Sequence, residues 1–179
     1  MFRNLSRDFI WGSVLAAFSL GAAAGAFAQA AKLKEGQILQ YVQTVNEGEV
    51  HDAKLALSTA KTTEVKDFAK HMLADHSKSQ KAIAELAKKA KIDLSTSEAT
   101  LKLENEAQAG AKALKAAEGA DFDKQYAHAQ AKMHAEVATI LQSQLMPAAT
   151  SEAVKSVLSE TLTTVQEHQR MAEDLAGRL

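Results

Sequence analysis

The sequence contains no cysteine, one proline (Pro147) and one tryptophan (Trp11) in 179 residues. Without cysteine there are no disulfides, thiolate zinc sites, iron–sulfur clusters or cysteine nucleophiles. Aromatic side chains are few and unevenly placed: Phe2, Phe9, Trp11, Phe18 and Phe27 crowd the first 28 residues, leaving Tyr41, Phe68, Phe122 and Tyr126 for the rest. Such a surface offers no stacking platform for bases or sugars. Runs of β-branched and aromatic residues that would mark strands are missing. There is also no Gly-rich phosphate loop and no serine in a nucleophile-elbow context.

An excess of charge of one sign is lacking as well. Removing Arg3, Arg7 and Asp8 with the N-terminal segment from 21 basic and 22 acidic residues leaves 19 and 21, a net charge of −2 with histidines neutral. That balance gives no electrostatic basis for binding nucleic acid. No Lys/Arg cluster forms a patch for lipid headgroups.

The N-terminus carries an export signal in outline. Arg3 and Arg7 precede an apolar stretch from Phe9 to Phe27, and Ala26-Phe27-Ala28 supplies the small-x-small pattern of a cleavage site. Cleavage after Ala28 is expected, with Ala28-Gln29-Ala30 as a second register. Because the stretch is rich in Ala and Gly and holds Ser13 and Ser19, it is a weaker membrane span than a Leu/Ile-rich one. An uncleaved membrane anchor is the alternative. The arginines are not adjacent, which favours the general secretory route to the periplasm or beyond over a twin-arginine route.

Alanine, lysine, glutamate and leucine dominate residues 29–179, a composition that favours helix because these side chains lose little rotamer freedom there. The expected fold is all-α, in one domain with no transmembrane span. Ile38, Val42, Val45, Ala53, Ala56 and Ala60 recur at three- and four-residue spacing and predict a helix over about 34–60. Val65, Phe68, Met72, Ile83, Leu86 and Ala90 predict a second over about 63–91, capped by Thr62 or Thr63. Ser95 with Glu98 has capping-box spacing and opens a third over about 98–117, thinly apolar along Leu101, Leu103 and Leu114.

Gly119 breaks that helix, and Asp121 can cap a fourth over about 121–146, stopped by Pro147. Ser151 caps a fifth over about 151–177, with Val154, Leu158, Leu162, Val165, Ala172 and Leu175 on its apolar stripe. Short joins make the first two and the last two helices antiparallel pairs. Two such pairs with an additional helical connection between them give a ferritin-like four-helix bundle.

Polar residues that fall on apolar stripes are the ones to examine, since a buried ionisable group must be paired, hydrogen-bonded or metal-bound. Glu49, His76, His134 and His168 meet that test, one from each long helix of the two pairs. Each lies within about four residues of its helix midpoint, roughly 6 Å at 1.5 Å per residue, so the four are expected to converge at mid-height. One carboxylate and three imidazoles suit a divalent transition metal (zinc, iron, copper or manganese), with Asp52 and Asp75 available to orient the ligands. A hydrogen-bonded core network without metal is the competing reading. His71 lies about 140° around its helix from His76, and His128 about 120° from His134, so both are expected to face solvent, as is His51. Met72, Met133 and Met171 are expected to fill the core.

The segment GEVHDAKLALSTAKTTEVKDFAKHMLADHSKSQ, with FDKQYAHAQAKMHAEV and VQEHQRMAEDL, resembles the bacterial ferritin-like domain-of-unknown-function family 4142 across nearly all of residues 29–179. Glu49, Asp75 with His76, His134 and His168 are the marks of that resemblance. It implies an exported four-helix bundle, described as a predicted outer-membrane protein, and by association a role in envelope stress. A β-barrel has no support in the sequence, which lacks alternating strand segments. The Glu-x-x-His pairs of di-iron carboxylate proteins are absent, so the expectation leans away from an enzyme. Three roles follow: a non-enzymatic binding or envelope-stress protein, a metal-binding protein built on Glu49, His76, His134 and His168, or an adaptor docking a partner through helix 98–117.

Overall fold

Apolar side chains at three- and four-residue spacing fold into helices because that spacing gathers them on one face. The computed structural model describes residues 33–179, and the expected leader over residues 1–28 lies outside them. The described residues form α1 (Glu35–Thr59), α2 (Thr63–Ala90), α3 (Glu98–Ala116), α4 (Gly119–Ile140) and α5 (Glu152–Ala176), with no strand among them. None of these helices is long and apolar enough to cross a membrane.

The helix ends show which local signals operate. Thr62 Oγ1 accepts from the Val65 amide and Ser151 Oγ from the Val154 amide, as a capping side chain does. The expected Ser95/Glu98 box is displaced: Ser97 Oγ accepts from the Thr100 amide at 3.2 Å, and Thr100 Oγ1 accepts from the Ser97 amide at 3.4 Å. Glu98 is already the first residue of α3, too early to reach back to a cap. Gly119 does not stand outside α4 but begins it, at φ +60°, a conformation open to glycine at little cost. Asp121 therefore falls in the first turn instead of capping.

Nor does the helical path stop at residue 146. It widens into a π turn, Leu141–Leu145, and continues as a short helical turn, Met146–Ala148. The wider turn sits directly before Pro147, whose missing N–H and bulky ring oppose an ordinary α turn there.

Two apolar blocks fill the interior. One gathers Ile38, Leu39, Val42 and Val45 of α1 with Ile83 and Ala87 of α2, Val137 of α4, and Val154, Leu158 and Val165 of α5. The other gathers Ala53 and Ala56 of α1 with Val65, Phe68 and Met72 of α2, Phe122 and Tyr126 of α4, and Ala172 and Leu175 of α5. The start of α1 thus packs with the end of α2, and the end of α4 with the start of α5. Each pair is antiparallel, and α1–α2 and α4–α5 are the most extensively packed helix pairs. The α2–α5 seam is much slighter.

Because α2 ends beside one block and α4 starts beside the other, the chain must travel back along the molecule. α3 does this: its 19 residues cover about 28 Å at 1.5 Å per residue. It lies mainly against α1 and buries Ala111 and Leu114, while Leu101 is 53% exposed and not part of its apolar face as expected. Three further ties hold the ends. The Glu35 carboxylate accepts from the Thr150 amide and hydroxyl and from the Ser151 amide, joining the starts of α1 and α5. The buried Asp123 carboxylate accepts from the Lys61 and Thr62 amides at the α1–α2 turn. A Cβ at Gly36 would stand 2.0 Å from the Asp93 carbonyl oxygen, so that crossing accepts only glycine.

Candidate metal centre

Between the two apolar blocks each of α1, α2, α4 and α5 turns polar side chains inward. On α1 these are Asn46 and Glu49, on α2 His76, on α4 Gln130 and His134, and on α5 His168, all buried. His76 is 3% exposed, His134 1% and His168 0%. Their rings meet: centroids are 5.7 Å apart for His76–His134, 5.1 Å for His76–His168 and 5.3 Å for His134–His168. One nitrogen from each ring lies within 4.8 Å of the other two.

The hydrogen bonds on the outer side of each ring fix which nitrogen carries the proton. His76 Nδ1 lies 2.8 Å from Asn46 Oδ1, an acceptor, while Asn46 Nδ2 on the other side donates to Ser79 Oγ at 2.9 Å. In this arrangement His76 Nδ1 donates. His134 Nδ1 donates to the Gln130 carbonyl oxygen at 2.8 Å. His168 Nε2 donates to Asp75 Oδ2 at 3.1 Å. What remains on each neutral ring is a lone pair, on Nε2 of His76, Nε2 of His134 and Nδ1 of His168. All three of these atoms are buried and have no hydrogen-bond partner among the described residues.

Burial first, and the neighbouring imidazoles second, push the His76 ring well below the usual histidine pKa. Burial lowers His134 to about 4 against the opposing pull of the Gln130 carbonyl. His168 is also lowered by burial, with Asp75 working the other way. Three rings held neutral at pH 7, each with its second nitrogen pinned to an oxygen acceptor, are the state a metal-ligating histidine requires.

Glu49 is fully buried but is not in the group whose ligand atoms lie within 4.8 Å of one another. Neither of its oxygens has a hydrogen-bond partner among the described residues. Burial, reinforced by the Asp52 charge and opposed by the Gln130 side-chain amide, which approaches the carboxyl without hydrogen-bond geometry, raises its pKa to about 8, so the group is a neutral acid at pH 7. Tyr126 Oη and Gln130 Oε1 are likewise buried without partners. Asp75 Oδ2 accepts from His168 Nε2. Asp52, raised to about 6 chiefly by burial, makes no hydrogen bond to the three histidines.

Sequence reasoning missed Asn46, Ser79 and the Gln130 carbonyl, which orient the rings. Asn46 carries a signal in retrospect, as a polar residue one position past Val45 and three before Glu49 on a buried stripe. His71 was also missed. It is exposed, as expected, yet its Nε2 lies 3.2 Å from Asp75 Oδ2 and its ring 5.5 Å from that of His168. His51 and His128 face solvent as expected.

No curated protein and no solved structure matches the chain. Residues 21–175, which include all three histidines and the residues that orient them, match the family described as a domain of unknown function (DUF4142), and the chain belongs to that family.

Proposed function

We propose that this protein is an exported, single-domain helical protein with a ferritin-like four-helix arrangement, and that it binds one divalent transition-metal ion at its centre. The observation that carries the metal reading is the meeting of three buried imidazoles, each with one nitrogen that no donor among the described residues reaches. A hydrogen-bonded network without metal would need a donor for each of them. Buried acceptors without a donor cost about 1–3 kcal/mol apiece, a cost that metal coordination removes.

Three neutral nitrogens and no thiolate suit zinc, copper or iron in the divalent state better than magnesium or calcium, which take oxygen ligands. Manganese fits the same donors less tightly. Three protein ligands leave a coordination position for a further donor, and Glu49 of α1, buried in the same polar layer, is the carboxyl group available to fill it. The antiparallel α1–α2 and α4–α5 pairs, with α3 as the long return between them, support the ferritin-like arrangement. Binding or buffering of metal in the envelope, without catalysis, agrees with the missing Glu-x-x-His pairs. The export reading rests on Arg3, Arg7, the apolar stretch and Ala26-Phe27-Ala28.

Elemental analysis and metal titration test the centre. The purified protein is expected to hold one ion per chain, and the His76→Ala, His134→Ala double variant none. Equal substoichiometric metal in both would overturn the reading. Cell fractionation with N-terminal sequencing tests the address, with a periplasmic chain beginning at Gln29 as the expected product. A membrane-retained chain that keeps Met1 to Ala28 would reject export.

A further inference from the structure

His168 has two faces. Its Nδ1 is buried without a partner, while its Nε2 donates across the α2–α5 seam to Asp75, beside His71. His71, Asp75 and His168 each offer one donor atom, all within 4.8 Å of one another, and His71 Nε2 and His168 Nε2 lie 3.2 and 3.1 Å from Asp75 Oδ2, a second group with the donor types and spacing of a transition-metal site. It differs from the first in access. The His71 side chain is 44% exposed and that of Asp75 36%, and His71 lines a solvent-facing cleft of about 440 Å³ between α2 and α5. On the other side of Asp75 a smaller cleft of about 180 Å³ reaches His76, but the free Nε2 of that ring is buried away from solvent.

We propose that His71, Asp75 and the outer nitrogen of His168 form a second, solvent-accessible site for a divalent transition-metal ion, through which the buried triad is loaded. This rests on the triad being a metal centre. Sharing one neutral ring makes the two positions alternatives. An ion in the outer site takes the lone pair of Nε2, and the ring proton then sits on Nδ1. An ion in the inner site takes Nδ1, and the proton sits on Nε2, donated to Asp75. Transfer inward removes one proton from Nδ1 and returns one to Nε2, so the ring stays neutral and no net proton is gained or lost. Asp75 changes from ligand to hydrogen-bond acceptor in the same step. The α2–α5 seam is packed far more lightly than the α1–α2 and α4–α5 pairs, so an ion crossing there displaces little.

Rapid mixing of the purified protein with Co²⁺, followed by the visible absorption of the bound ion, tests this. The wild-type chain is expected to saturate at one equivalent in two phases, a fast one that scales with Co²⁺ concentration and a slower one that does not. His71→Ala, at an exposed position, should load at least about tenfold more slowly, as removal of a capture site from a cleft does, and reach the same stoichiometry and final spectrum. Loading of His71→Ala at the wild-type rate would overturn the proposal. So would a wild-type chain that holds two equivalents at once, since the positions would then be independent. His134→Ala separates the underlying reading: it should keep the fast phase and lose the final spectrum. An unchanged final spectrum in His134→Ala would remove the buried centre, whatever His71→Ala does.

Discussion

Two buried carboxylates in this protein have opposite surroundings. Asp123, 1% exposed, accepts backbone hydrogen bonds from Lys61 and Thr62 and closes the α1–α2 turn. Glu49, 0% exposed, has no partner for either oxygen among the described residues and lies in the same polar layer as three histidines that each keep one unpartnered nitrogen. Burial is the same and satisfaction is not. Structural polar groups in a core are hydrogen-bonded as a rule, so a cluster of unsatisfied ones points to a task other than holding the fold. At the turn, the N–H groups that a helix start leaves free are matched to a carboxylate. In the polar layer, every outward nitrogen is matched and every inward one is left open.

The largest expected effect breaks the satisfied side of this contrast. Asp123→Ala strands the Lys61 and Thr62 amides and should lower stability by about 2–4 kcal/mol, read by urea unfolding, with metal stoichiometry unchanged. A loss under about 0.5 kcal/mol would mean that the turn does not depend on its buried carboxylate.

Glu49→Gln tests the other side, in metal-free protein. Its carboxyl is raised from 4.5 to about 8, so the folded chain keeps a proton that the unfolded chain releases. Wild-type stability from this group is therefore fully present below pH 4.5 and is lost as pH rises through about 8. Glutamine does not ionise, so the variant should match wild type near pH 4 and become progressively the more stable of the two as pH rises through about 8. Parallel stability curves across that range would show Glu49 to be solvated or paired. His134, lowered from 6.5 to about 4, runs the opposite way: its contribution is present above pH 6.5 and lost as pH falls through about 4.

Asn46→Ala leaves the triad itself intact but frees the His76 ring to turn. Metal affinity should fall about 10- to 100-fold, measured by chelator competition, because the orienting partner of a ligand sets its tautomer. Unchanged affinity would argue that packing alone holds the ring. The smallest effect is expected at His128, exposed on α4, where alanine should change stability by less than about 0.5 kcal/mol and metal affinity not at all.

Much of this was legible in the sequence. The helix limits follow from apolar spacing and from Thr62 and Ser151, and His76, His134 and His168 stand out as polar residues on apolar stripes. What the stripes do not carry is the direction of a ring. Angle per residue places a Cβ, so His71 falls about 140° from His76, yet an imidazole one turn before Asp75 still reaches its carboxylate and the ring of His168. Pairing of Asn46 with His76 depends on how closely α1 approaches α2, which one helix's pattern does not contain. Ser97 displaces Ser95 as the cap because the 91–97 segment is shaped by α1, where Gly36 meets the Asp93 carbonyl.

The polar layer also sets how the helices stand lengthwise against one another. Above and below it the interior is aliphatic and aromatic, and such surfaces tolerate a helix sliding by one turn. A one-turn slip of α2 would withdraw His76 from Asn46 and Asp75 from His168, and bring Met72 or Gln80 to the level of the histidines. The interlocked side chains at mid-height therefore act as a key that admits a single axial alignment, a role best attested for lone polar residues in coiled-coil seams.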